Sequence, residues 1–529
     1  MMKKRGFTLI ELLAVITILA IILLIAFPIM FNVISSSKKS ADRNSVQLYG
    51  KAIEIAVGEY YVKYPLKNTV TISELETEGL IDYKGKEVKC DEVQIINRKV
   101  YLNNCKVGTK SVEYAYGQLD PTPVLTGGLV PVMYDGTKWI VADESDDWYD
   151  YNNQKWANAV TLLPGITKNP GDEVKVDGTE ASMMFVWIPR YEYKYTNLGN
   201  KYAGGTLEQP GTIDINFISK NTTTPSSNDY IIHPAFKFGT EELSGIWVSK
   251  FELSNINSVC NDFSCNSTIN TTISDISSLP NKPSIEGANI SYYFNLIKDI
   301  GNNSRFGLAN VDTHMTKNSE WAAVAYLAQS KYGKRGNNNY SNNYKKIYLN
   351  STTITGVSCG DVEKNGQVKF QYNDVSNKGE GKGQAGPGAS TTGNITGVYD
   401  MYGANQEFVM GVYQSSDGTI ALGESGFTST DFANIDKKYY NLYKENSSAS
   451  YPSNILCDGK NCYGHALFEI FDWFGINGYN FDTTFGWLER GESFASEKIN
   501  KADMFAVRYT TGYGISSSAN TRVVLVIHN

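Results

Sequence analysis

The hydrophobic pattern of this chain is most pronounced near its start. From Phe7 to Ile34 the sequence FTLIELLAVITILAIILLIAFPIMFNVI is almost unbroken, with Glu11 its one charged residue. As a helix its 28 residues reach roughly 42 Å, enough to span a bilayer. Lys3, Lys4 and Arg5 precede it, so the cationic end stays in the cytoplasm and the rest is exported. After Ser35 the pattern turns amphipathic: Tyr49, Ile53, Ala56, Tyr60 and Tyr64 recur at helical spacing and Pro65 ends the series. The spacing predicts one long helix over 7–64, its second half packing an apolar stripe on a small sheet. Pro28 removes one helix hydrogen bond and permits a kink or local melting.

Thr71 to Leu75, followed by Gly79-Leu80-Ile81, predicts a short helix and a turn. Alternating residues then predict three antiparallel strands, Glu87–Asn97, Lys99–Val107 and Lys110–Gly117. Gln118–Gly128 (QLDPTPVLTGG) holds two prolines and two glycines and is expected to be a linker. Beyond it the chain shows short strands, turn clusters and one clear helix, Lys317–Lys331, with Trp321, Val324, Ala325 and Ala328 on one face and Asn318 or Thr316 as its cap. Leu253–Asn310 and Asn377–Asn394 are expected to be loops.

With 529 residues the chain exceeds one ordinary core, and length alone suggests two to four domains. A net charge of −7 argues against a sequence-blind grip on nucleic acid. The 35 tyrosines, amid many Asn, Ser, Thr and Gly, suit exposed binding faces; an AT-rich genome produces the same bias. The seven cysteines form no CxxC and no zinc pattern. On export, local pairs Cys90 with Cys105, Cys260 with Cys265, and Cys457 with Cys462 are natural, leaving Cys359 over. A Cys90–Cys105 bridge would contribute about 3 kcal/mol by chain entropy; two reduced core cysteines are the alternative.

Glu11 at bilayer depth is costly, and such residues are usually functional. The string Gly6-Phe7-Thr8-Leu9-Ile10-Glu11 resembles the cleavage and methylation site of type IV prepilins and pseudopilins, closely over residues 1–35 and loosely to Tyr64. An ordinary signal anchor or a cleaved secretory signal is the competing view. The resemblance implies cleavage after Gly6 by a prepilin peptidase, which also methylates the new amine of Phe7. It further implies that Glu11 neutralises the Phe7 amine of a neighbouring pilin subunit in an apolar filament core, where either charge alone would be prohibitive.

In the C-terminal region, Phe185-Val186-Trp187-Ile188-Pro189-Arg190, His233-Pro234-Ala235-Phe236, the stretch Gly245 to Glu252, Asn318-Ser319-Glu320-Trp321, Gly397-Val398-Tyr399-Asp400-Met401-Tyr402-Gly403, Arg490-Gly491-Glu492-Ser493-Phe494 and Arg522-Val523-Val524-Leu525 resemble, in the same order, the formylglycine-generating sulfatase-modifying domain, a variant of the C-type lectin-like fold. Oxidase members keep a cysteine pair after the string matched by Arg490 to Ser493. Here Phe494, Ala495 and Ser496 follow, and no cysteine occurs after Cys462, so that chemistry has no nucleophile. The family's calcium loop corresponds to Gly403-Ala404-Asn405-Gln406-Glu407-Phe408; Glu407 is kept and the preceding Asn displaced to Asn405. The resemblance thus implies calcium at Glu407 and Asn405, against a purely structural hydrogen-bonding role for Tyr399, Asp400 and Glu407.

Weaker candidates accompany these. Gly381, Gly383 and Gly386 satisfy GxGxxG, but Pro387 follows and no βαβ unit surrounds them, so a loop is expected. Asp143, Glu144, Asp146, Asp147 and Asp150 form an acidic cluster suited to calcium or to a solvated loop. His233, His314, His465 and His528 are too scattered for a triad or metal site, and His233 reads as a core residue.

The expectation is an α+β chain. Residues 1–6 form a leader, 7–64 an assembly helix that spans the membrane over 7–34, and 65–117 a small antiparallel head sheet. A linker over 118–128 leads to a large irregular α+β, C-type lectin-like domain over 129–529. The expected function is a pilus subunit, minor or tip-located, assembled with other pilins and displaying a non-catalytic, adhesive domain toward a surface glycan or protein, with no nucleic acid partner. The alternatives are a pseudopilin of a secretion or DNA-uptake machine, and a surface enzyme of the formylglycine-generating type. The route expected is cytoplasmic membrane first, then the extracellular filament.

Overall fold

The computed structural model describes residues 41–42, 45–65, 67, 70–96, 99–112, 122–143, 148–196, 211–258, 260, 271–334, 354–357, 371–373, 386–449, 453–470, 481–491, 503–512 and 519–528. The fold is mixed α+β, rich in sheet and sparing in helix, and divides into two compact units, Met1–Asp120 and Pro121–Asn529. No helix among the described residues is long and apolar enough to cross a membrane; the apolar run 7–34 lies outside them.

In the first unit, residues 45–63 form a continuous helix. Ile53, Ala56 and Tyr60 from the expected stripe, joined by Val46 and Val57, pack on Leu75, Val88, Val100, Leu102 and Val107. Tyr49 and Tyr64 lie at the rim, partly buried. The helix Ile72–Thr77 opens with a capping box, Thr71 accepting from the Glu74 N–H while the Glu74 carboxylate accepts from the Thr71 N–H. The sheet is an antiparallel meander of Val88–Ile96, Lys99–Val107 and Lys110–Ser111. Its third strand is two residues long, shorter than the alternation predicts, and residues 113–117 of that prediction lie outside the described residues.

Two of the second unit's sheets are large. The larger is wholly antiparallel, in the order Val311–Met315, Val523–Ile527, Gly245–Ser249, Ala181–Pro189, Asn158–Leu162, Leu129–Tyr134, Trp139–Val141. Every residue of Ala181–Pro189 is buried, which explains why its sequence ASMMFVWIP runs apolar without alternation. The smaller sheet centres on Gln406–Gln414, parallel to Asn441–Glu445 and antiparallel to Trp487–Arg490.

Four expectations need correction. The helix Asn318–Gln329 is buried along its whole length and not on one face. Its N-cap is Lys317, whose backbone N–H donates to the Glu320 carboxylate at 2.8 Å, in place of Asn318 or Thr316. Within the segment expected to be a loop, Ile290–Lys298 is a helix capped by Asn289, burying Ile290, Tyr293, Phe294 and Ile297. That i, i+3, i+4, i+7 spacing was visible but was masked by the Asn/Ser richness around it. The last part of the expected linker is bound down. Val124 C=O accepts from Trp247 Nε1 at 2.8 Å, Gly127 C=O accepts from the Ala309 N–H at 3.1 Å, and Pro123 is buried. Gly128 has φ +86°, and a Cβ there would meet the Gly307 carbonyl at 2.0 Å, so the approach requires glycine. Two prolines and two glycines mark breaks in regular structure, which is not the same as freedom to move.

Candidate functional site

Gly6, Phe7 and Glu11 lie outside the described residues. What the structure shows of the assembly segment is its continuation, the helix 45–63. One side of this helix forms the core of the first unit. Elsewhere on it Leu48, Ile55 and Val62 are exposed by 60%, 64% and 84%. Their seven-residue spacing drifts by only about 20° per step, so the three make a single stripe. Gly58 lies close to that stripe, with nothing within 4 Å of where a Cβ would stand. Sequence reasoning followed the buried stripe and missed this one, although the repeat at 48, 55 and 62 was legible.

Cys90 and Cys105 face each other across the two long strands of the head and are joined by a disulfide. Cys457 and Cys462 are likewise bonded. Cys260 is also disulfide-bonded, while Cys265 and Cys359 lie outside the described residues.

In the second unit the structure brings together strings that are far apart in sequence. Arg522 enters the larger sheet at the start of Val523–Ile527, and Glu407 stands on Gln406–Gln414 of the smaller one. Arg522 donates to Glu407 Oε1 from Nε at 2.9 Å and lies 2.7 Å from it through a terminal nitrogen. Its remaining donors reach the carbonyls of Ser249 at 3.2 Å, Lys250 at 3.3 Å, and Tyr399. Asp400 accepts from the Gly356 N–H at 2.8 Å, and Glu252 accepts from the Asn405 N–H at 3.0 Å and from Ser284. All of these groups are buried. Burial raises the Glu407 carboxyl to about 8 even against Arg522, with Asp400 adding to the rise. Burial, then Glu407 and Asp400, pushes Glu252 well up.

This arrangement does not fit calcium. A calcium ion takes six to eight oxygens, whereas Glu407 Oε1 is aimed at the Arg522 guanidinium, whose positive charge stands 2.7 Å from it. Among the described residues no group of three or more His, Cys, Asp or Glu is placed to hold a metal. Arg522 and Glu407 thereby join the two sheets, the Tyr399 carbonyl accepts from the same guanidinium, and Asp400 holds the backbone at Gly356.

Arg490 is built in similarly. Its Nε donates to Asn318 Oδ1 at 2.6 Å, and its terminal nitrogen to the carbonyls of His465 and Ala466 at 2.7 and 3.0 Å. Ser493 to Ser496 lie outside the described residues. Lys250 is buried and donates to Asn158 Oδ1 at 2.8 Å and to the carbonyls of Ile395 and Gly397 at 2.7 and 2.8 Å. Three acceptors matched to three donors describe a structural amine.

The histidines separate into different environments. His314 is held between Asp312 and Glu320, with Nδ1 at 3.2 Å from the first and Nε2 at 3.1 Å from the second. His465 accepts from or donates to Tyr443 at 3.0 Å, and burial, then Arg490, pushes it down to about 3. His233 is buried in the core, and His528 pairs with Glu241 at the surface. Of the acidic cluster, Asp150 caps the turn Tyr151–Asn153, and Glu144, Asp146 and Asp147 lie outside the described residues. Gly386 precedes the buried turn Pro387–Ala389; Gly381 and Gly383 lie outside the described residues.

A family model described as the prokaryotic N-terminal methylation motif matches residues 1–27. No curated protein matches the chain.

Proposed function

We propose, from the type IV pilin-like N-terminus that this motif gives the chain, that the protein is a filament subunit displaying its second unit as a non-catalytic binding domain. The motif carries the first half. It marks the chain for a prepilin peptidase and for assembly with other pilins in a membrane, at the junction Gly6-Phe7 with Glu11 four residues on.

The exposed stripe supports assembly independently. Leu48, Ile55 and Val62 face solvent in the isolated chain, and fully burying such a side chain returns about 1.5–3 kcal/mol. A neighbouring subunit packed along the helix supplies that burial, and Gly58 allows its backbone to come close.

The second half rests on chemistry and order. The strings resembling the sulfatase-modifying, C-type lectin-like domain are spent on internal bonding, Arg522 with Glu407 between the two sheets and Arg490 to Asn318 and the carbonyls of His465 and Ala466. No cysteine follows Cys462 to act as a thiol nucleophile. A buried scaffold without that nucleophile is suited to presenting surface loops rich in Tyr and Asn to a glycan or protein. The size of the unit, roughly 400 residues, favours a minor or tip position, since so large a body is bulky to repeat on every subunit.

Ile55→Asp tests the assembly half, because the exposed residue leaves the head core intact. Shear fractionation should find the variant in the membrane at normal level and depleted from filaments. Undiminished incorporation would refute the role given to the stripe.

A further inference from the structure

The exposed stripe on the helix 45–63 carries charge as well as apolar side chains, and the two are ordered. Leu48, Ile55 and Val62 repeat every seven residues. Lys51 and Glu59, both exposed, stand four residues before and four after Ile55, which places them on its face of the helix. Gly58, three residues after Ile55, leaves that face bare: a Cβ on it would meet nothing within 4 Å. Glu54 points about 100° away from Ile55, and Lys63 is paired with Glu78 at 2.6 Å. Among the described residues, Lys51 and Glu59 are therefore the charges that the stripe offers to a neighbour.

A stripe that repeats every seven residues maps onto itself when moved by seven. A parallel copy displaced by that much, about 10.5 Å along the axis, sets Leu48 and Ile55 of one helix against Ile55 and Val62 of the other, along the kind of apolar seam on which helices pack. The same register brings Lys51 opposite Gly58 of the other copy. The missing side chain leaves room for the lysine stem to lie across the helix, with its amine toward Glu59. Without displacement, Lys51 would face Lys51 and Glu59 would face Glu59, and both layers would repel. An antiparallel copy also sets Lys51 against Glu59, but it conflicts with membrane orientation. Every copy carries Lys3, Lys4 and Arg5 at its start, and these keep the same end in the cytoplasm.

We propose that the occupant of the stripe is a second copy of this chain, parallel and displaced by one heptad, held in register by Lys51 of one copy against Glu59 of the other. The inference rests on the filament-subunit reading and names the neighbour that reading leaves open. Apolar burial supplies the attraction, while the charge pair fixes register and rejects wrong partners more than it adds affinity. A displaced contact of this kind is head-to-tail and not closed by a two-fold axis, which suits an elongating assembly. Two adjacent copies are enough to make it, so it holds for a minor subunit as well.

The test is charge reversal in the full chain, read by shear fractionation with the membrane level as control. Lys51→Glu and Glu59→Lys should each deplete the chain from filaments several-fold at normal membrane level, and the two together should restore incorporation. Full incorporation of both single variants overturns the proposal, as does a double variant depleted like the singles. Ile55→Asp separates this inference from the reading beneath it. Its depletion beside unaffected charge variants keeps the stripe as an assembly face and rejects the second copy as its occupant. Register is read by co-expressing Leu48→Cys and Ile55→Cys chains and oxidising the filaments. A disulfide joining the two kinds of chain, above the wild-type background, is the expected product. Crosslinks confined to chains of one kind would show an undisplaced pair and overturn the proposal.

Discussion

Replacing His314 by Phe probes a buried cluster of charged side chains. The ring lies between Asp312 and Glu320 and stacks on Phe238, centroids 4.9 Å apart. Phe keeps the shape and the stacking and removes both N–H donors. Both nitrogens face carboxylates, so the bonded form is the imidazolium. Burial opposes the charge, but Glu320 and Asp312 outweigh it and raise the pKa, with Lys317 acting the other way. Burial also pushes Glu320 up, but Lys317 and His314 overcome it and hold the carboxyl at about 2. Asp312 keeps Tyr439 at 2.6 Å and Lys438 at 3.5 Å, so the main loss falls on Glu320, left with Lys317.

Removing one partner of a buried pair costs about 3–5 kcal/mol. For a unit of roughly 400 residues, an unfolding entropy of about 2.1 cal/mol/K per residue converts this to a Tm drop of roughly 4–6 °C. The sign with pH follows from the raised pKa. The stabilisation is whole below the unfolded value, about 6.5, and is lost as pH rises through the higher folded value. Differential scanning calorimetry of wild type and His314→Phe from pH 5 to pH 9 should show the gap widest near pH 5–6 and narrowing on the alkaline side. A gap that stays constant across that range, or widens with pH, would refute a bridging imidazolium.

Glu11→Ala should leave export and membrane residence intact and deplete the protein from sheared filaments; normal filament yield would count against charge pairing with Phe7. Cys90→Ser with Cys105→Ser should lower the stability of the head by about 3 kcal/mol, read by denaturant unfolding of the first unit's tyrosine signal, and an unchanged midpoint would refute a stabilising bridge. Arg522→Met should lower Tm by several degrees, since it strands Glu407 and three carbonyls; a neutral result would show that the pair is not holding the sheets. Copper, oxygen and a cysteine-bearing sulfatase peptide offered to the protein should yield no aldehyde, and an aldehyde product would overturn the non-catalytic assignment.

The head was legible because its determinants are local. Alternation in Val88–Ile96 and Lys99–Val107, the buried stripe from Ile53 to Tyr60, and the capping box at Thr71 all lie within a few residues of what they specify. The second unit was legible as strings but not as partnerships. Nothing near Glu407 in the sequence announces Arg522, and nothing near Tyr193 announces Glu469, because those contacts join residues more than a hundred positions apart. The same reason misled the calcium expectation: a loop that matches a pattern still depends on what faces it, and a guanidinium does. Helix Ile290–Lys298 was hidden by its polar surroundings, and the stripe Leu48, Ile55, Val62 by attention to burial.

The filament-subunit assignment turns on how the chain begins when mature, and intact-mass measurement with N-terminal sequencing of protein taken from cells reads that directly. Cleavage after Gly6 with a methylated Phe7 at the new terminus is the expected result, with Gly6→Val leaving the full-length chain in the membrane. Protein that retains Met1, or that is cut beyond Ala20, would contradict the filament-subunit assignment.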